Sequence, residues 1–71
     1  MCRNIKRLRR PDGPPSDAEL RAAAVQFVRK ITGYRVPSQR NQMAFDGAVE
    51  EITRVSRNLF NELETHRESI A

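Results

Sequence analysis

Residues 16–33 read SDAELRAAAVQFVRKITG. Ser16 is followed three positions later by Glu19, the spacing at which a serine hydroxyl and a glutamate carboxylate cap a helix start reciprocally. Asp17 and Glu19 fall in the first turn, where the helix dipole favours negative charge. Leu20, Ala23, Ala24, Phe27, Val28 and Ile31 then recur at helical spacing and make one apolar stripe. Arg29 and Lys30 occupy the last turn, and Gly33 stands where a helix is released into the left-handed conformation. The stretch predicts a helix over 17–32.

Downstream, GYRVPS at residues 33–38 is a short link. Pro37 holds Val36 extended, and Ser38 is placed to cap a second helix, with Asn41 as a weaker capping partner. That helix is predicted over about 39–66. Its apolar stripe is Phe45, Ala48, Val49, Ile52, Val55, Leu59, Phe60 and Leu63. Positions 45, 52 and 59, with 48, 55 and 62 between them, approach a heptad. Glu62 fills the last of these, and Leu63 beside it carries the apolar role. Asp46–Gly47 is a turn-like pair, and a helical glycine costs about 1 kcal/mol against alanine. A break there would give three helices. Phe45, Ala48, Val49 and Ile52 stay in phase across the glycine, so one continuous helix is the expectation.

Upstream, RPDGPPS at residues 10–16 holds Pro11, Gly13, Pro14 and Pro15, which forbid a helix and make a stiff connector. Before it, MCRNIKRLRR at residues 1–10 carries Arg3, Lys6, Arg7, Arg9 and Arg10 and no acid. Against a total net charge of +4, residues 1–10 carry +5, so residues 11–71 sum to −1. The basic character is thereby assigned to the arm. The expected organisation is a single helical domain over 1–71, with arm and connector at 1–15, the hairpin at 16–66 and a tail at 67–71.

The two helices differ in length, roughly 24 Å against 42 Å at 1.5 Å per residue. A short link makes them antiparallel neighbours, so the first covers only about the first four turns of the second. Val55, Leu59, Phe60 and Leu63 lie beyond that cover, and leaving them in water would forfeit about 1.5–3 kcal/mol each. Two covers are available. The arm, whose ten residues reach about 33 Å when extended, could lay Ile5 and Leu8 along them, its cations facing Glu62, Glu64 and Glu68. A second copy of the chain could pack there instead and complete a four-helix dimer. Both can hold together.

Seventy-one residues bury a small core. The single cysteine cannot form an internal disulfide, and no clustered set of four ligands suggests structural zinc. A lone thiol suits a reducing compartment. The sequence holds no apolar run long enough to span a membrane and no secretory apolar stretch behind its basic start, so the expectation is cytoplasmic.

Candidate sites are few. Arg3 and Lys6 could lower the pKa of the Cys2 thiol, yet no base stands near it in sequence, and a packed or idle thiol is the plainer reading. Glu62 and His66 share a helical face at a spacing that can ligate metal, but two ligands near a helix end also describe a solvated polar face. Arg3, Lys6, Arg7, Arg9 and Arg10 could contact phosphates. Against that, the three phenylalanines lie on apolar stripes, Tyr34 alone sits in a loop, and Asp46, Glu50 and Glu51 line the outer face of the long helix. The arm has only Ile5 and Leu8 to insert into a membrane, which argues against that partner.

MCRNIK at 1–6, AELRAAAVQFVRKITGYRVPSQRN at 18–41 and AFDGAVEEI at 44–52 together resemble a family of short, uncharacterised bacterial proteins. The family carries a domain-of-unknown-function label and opens with Met-Cys-Arg-Asn-Ile. The resemblance covers about residues 1–63 and implies a small cytoplasmic helical protein with no assigned activity. Members place aromatics, with a Phe, near where this chain has Leu8, Arg9 and Arg10, a departure that weakens the case for packing the arm on the second helix and raises the nucleic-acid option for this chain. They also tend to place better helix formers at Asp46–Gly47, which supports a continuous second helix.

The expectation is therefore all-α: an antiparallel two-helix hairpin with an extended N-terminal arm, able to pair as a four-helix dimer. Its expected function is that of a non-enzymatic interaction protein that self-associates or docks another protein, with no catalytic, cofactor or metal residues. Phe27, Ile31, Phe45, Val49, Ile52, Val55, Leu59 and Leu63 are expected to carry core and interface, with Ile5, Leu8 and Phe60 joining the interface. The alternative is an accessory nucleic-acid-binding protein using the basic arm.

Overall fold

A computed structural model describes residues 7–70, with side chains for 7–63. Two helices pack together: α1, Asp17–Thr32, and α2, Gln42–Ile70, the latter led in by one 3₁₀ turn at Gln39–Asn41. The described residues contain no strand, only an isolated bridge between Arg10 and Gly13. The all-α antiparallel hairpin is as expected.

Local chemistry explains each boundary. Ser16 is extended and its hydroxyl accepts the Glu19 N–H at 3.2 Å, while the Ser16 N–H donates to Glu19 Oε1 at 2.8 Å. Gly33 has φ 80, a left-handed conformation that a side chain would strain, and its N–H returns to the Arg29 carbonyl at 2.8 Å. Thr32 donates to the Val28 carbonyl and accepts from the Tyr34 N–H, which ties off the last turn. The link is held to α1 by Arg29 Nε on the Arg35 carbonyl at 3.0 Å.

Ser38 occupies the cap position before Gln39, but its side chain makes no capping bond. Asn41 does not assist it either; its amide reaches the Tyr34 hydroxyl at 3.4 Å. The expected cap is replaced by the tighter 3₁₀ turn, in which the Asn41 N–H bonds the Ser38 carbonyl. Gly47 lies inside uninterrupted α2. Asp46, the other half of the suspected break, accepts from Gln42 Nε2 one turn back at 3.0 Å. That bond engages the carboxylate that would otherwise favour a turn.

Ala24 and Val28 of α1 pack on Val49 of α2, with Val25, Phe45, Ala48 and Ile52 around them. Leu20 and Pro15 are buried at the start of α1. There Arg57 of α2 donates to the Pro15 carbonyl at 2.6 Å and to Asp17 at 2.8 Å. Residue 57 thus stands beside the first residue of α1, and residues 58–70 run on past it for about 20 Å.

The stripe of α1 is only half used. Leu20, Ala24 and Val28 are buried, but Phe27 is 51% and Ile31 63% exposed. The assignment of Phe27 and Ile31 to the core of the hairpin is corrected accordingly. A helix with a single neighbour buries one i±4 row, and the flanking row stays in water. The connector turns, as its prolines and glycine allow. Arg10 and Gly13 exchange both backbone bonds at 3.0 Å, so Pro11–Asp12 forms a reversal.

The assembly is one helix-layer thick. Its axes measure 47 × 27 × 16 Å, and its radius of gyration is 14.4 Å, against about 11 Å for a compact chain of this length.

Candidate interaction face

Helical rotation sorts the side chains of each helix about its buried row. Relative to Val49, the side chains of Ala44, Ala48, Val55 and Leu59 lie roughly 80–140° round α2 in one sense. Relative to Val28, Ile31, Phe27 and Ala23 lie roughly 60–140° round α1 in the same sense. The helices run in opposite directions, so the two arcs meet on one broad side of the hairpin. A cleft of about 260 Å³ joins them, with Ile31 of α1 and Ala44 and Ala48 of α2 in its lining. A second hollow of about 230 Å³ continues along α2 between Ile52 and Val55. Phe27 and Ile31 on α1, and Val55 at 57% and Leu59 at 53% on α2, are all more than half exposed. Together they form a continuous apolar face.

The opposite side is polar and bridged. Arg21 meets Glu50 across the helices at 3.0 Å, and Arg57 meets Asp17. Along the outer edge of α2 Arg54 pairs with Glu51, which also borders the second hollow. Exposed pairs of this kind contribute about 0–1 kcal/mol each. They add little stability and make this side polar.

Of the expected interface residues, Val55 and Leu59 lie on the apolar face. Phe60 and Leu63 are half-buried and continue the row that faces α1. Leu8 is half-buried, and Ile5 lies outside the described residues. Phe27, Ile31 and Ala44 belong to the face as well. The signal for the first two was present, since they fall on the stripe, but their exposure depends on how many neighbours α1 has.

The basic arm divides. Arg7 and Arg9 are exposed, while Arg3 and Lys6 lie outside the described residues. Arg10 is committed. Its two terminal nitrogens grip the two carboxylate oxygens of Glu19 at 3.0 and 3.1 Å, with Asp12 at 3.9 Å. The Arg10 hydrogen bond, helped by the Ser16 N–H, pulls the Glu19 carboxyl down to about 2. The same contact raises the Arg10 guanidinium. This cation therefore ties the arm to the start of α1, not to the acids expected along α2. The turn at Pro11–Asp12 is the reason, because it aims Arg10 back at Glu19.

Cys2 and the side chain of His66 lie outside the described residues, and so do the Cys2 chemistry and the Glu62–His66 pairing considered for them. Among the described residues no three of His, Cys, Asp or Glu are grouped to hold a metal ion. No described helix is long and apolar enough to cross a membrane. Neither a curated protein nor a solved structure matches the chain. The model of one family, described as an uncharacterised conserved protein (DUF2277), matches residues 1–71, and the chain belongs to that family.

Proposed function

We propose that this chain is a non-enzymatic, cytoplasmic interaction protein that pairs with a second copy of itself through the apolar face. The observation that carries this reading is an excess of surface. A compact monomer of 8.2 kDa presents about 4,500 Å², whereas this chain presents 6161 Å². A standard interface removes about 800 Å² from each partner, so the surplus is ample for one. Two one-layer hairpins stacked on this face make a two-layer, four-helix bundle. The 3–4 spacing of Ala48, Ile52, Val55 and Leu59 suits knobs-into-holes packing at its centre.

Sedimentation of the full chain over a concentration series tests this. The expected result is a dimer mass at micromolar concentration. A monomer persisting at high micromolar concentration would end the reading.

The second reading, nucleic-acid binding by the arm, draws support from Arg7 and Arg9, which are exposed and meet no carboxylate among the described residues. Arg10 weakens it, because Glu19 already satisfies that charge.

A further inference from the structure

Between Phe27 and Phe45 the chain carries Arg29, Lys30, Arg35 and Arg40, and no acid. The sum over residues 11–71 conceals this cluster, because the acids lie elsewhere. In the fold the four cations gather where α1 ends and α2 begins, and all four are exposed. Over residues 10–63, the other cations meet carboxylates: Arg10 with Glu19, Arg21 with Glu50, Arg54 with Glu51 and Arg57 with Asp17. At the link end none does. The first turn of α2 holds no acid either. Charge pairing is thus segregated, and a positive potential accumulates at one end of the hairpin.

Tyr34 stands within this cluster, 43% exposed, its hydroxyl accepting from Asn41. Cations surrounding one held aromatic ring are the elements of a single-strand site: backbone phosphates for the charges and a base for the ring. Arg29 is tied through Nε to the Arg35 carbonyl, which fixes the link that presents the others. The one exposed aliphatic of the link, Val36, is too little to insert into a lipid surface.

We propose that the link end of the hairpin binds single-stranded nucleic acid, with Lys30, Arg35 and Arg40 on phosphates and Tyr34 under a base. This site lies at the opposite end of α1 from the arm, about 24 Å away, and borders the apolar face, whose cleft Tyr34 helps to line.

The test is fluorescence anisotropy of a labelled random single strand of about 20 nucleotides, titrated with the full chain at several salt concentrations. Three phosphate contacts give a log–log salt slope of about −2.1, a loss of about 20-fold between 50 and 200 mM. R35Q/R40Q should cut that slope to about a third, R7Q/R9Q should leave it unchanged, and Y34A should lower affinity about tenfold at constant slope. Circular dichroism checks that each variant stays helical, and sedimentation checks that its mass is unchanged. Binding by R35Q/R40Q equal to the parent's overturns the site. So does a loss confined to R7Q/R9Q, or a parent that binds anionic vesicles but no nucleic acid.

Discussion

The two broad sides of this hairpin are built from the same two helices and differ in almost every respect. One side is crossed by Arg21–Glu50 and closed at its end by Arg57 on Asp17 and the Pro15 carbonyl. The other is a run of apolar side chains with Phe27, Ile31, Val55 and Leu59 more than half in water. Charged residues satisfied within one chain make a finished surface. Apolar residues left over from the same packing make an unfinished one, and that asymmetry is why the proposed dimer is assigned to this side.

The largest effect should come from the row between the two sides. Val49 is 1% exposed at the centre of the core, so V49D buries a carboxylate with no partner in a domain of marginal stability. Loss of the helical circular dichroism signal is expected; retention of full helicity would show that the α1–α2 contact is not what holds the fold.

L59E tests the open side. It should keep the helices and break the dimer. Each of two symmetry-related leucines forfeits about 1.5–3 kcal/mol, so the dissociation constant should rise by about 100-fold or more. If its sedimentation profile matches the parent's, this side is not the interface.

G47A should stabilise the chain by about 1 kcal/mol in urea unfolding, because nothing lies within 4 Å of the position a Cβ would take. The position is on the exposed outer side of α2, so dimer mass should not change. Destabilisation would mean that α2 is broken there after all.

The smallest effect belongs to the Arg10–Glu19 pair, which lies at the surface. Glu19 is held at about 2 in the folded chain, against an ordinary 4.5. A carboxyl lowered on folding adds stability above its ordinary value, and that contribution is lost as pH falls from about 4.5 through about 2. R10Q should therefore raise the Glu19 titration midpoint, read by NMR of its side-chain carboxyl, and make stability less dependent on pH in that window. An unchanged midpoint would leave the arm untethered.

Most of α1 was legible in the sequence, because Ser16, Glu19 and Gly33 act through bonds to residues at most four positions away. The continuity of α2 was legible for a related reason: the apolar phase carries across Gly47. Three features were hidden, each by a different cause. Phe27 and Ile31 lie on the stripe that periodicity detects, but the width of the buried arc is set by the number of neighbours, which periodicity does not contain. Arg57 seeks a backbone carbonyl at Pro15, and such an acceptor has no signature in residue types. The turn at Pro11–Asp12 was visible as a breaker, but that it would aim Arg10 at Glu19 depends on geometry 9 residues away. The link cations were in plain view and were lost by summing charge over too long a window.

Arg57 reaches back 42 residues to the Pro15 carbonyl, whereas Val28 and Phe45 meet across the short link. Closing the longer loop costs about 0.8 kcal/mol more chain entropy than closing the shorter one. The expected order of assembly is therefore a zipper from the link outward, with the Arg57 clasp the last tooth to engage and the first to release. Amide protection in hydrogen exchange would fall off along α1 from Val28 toward Leu20, so proteases would find their opening at the proline-rich end.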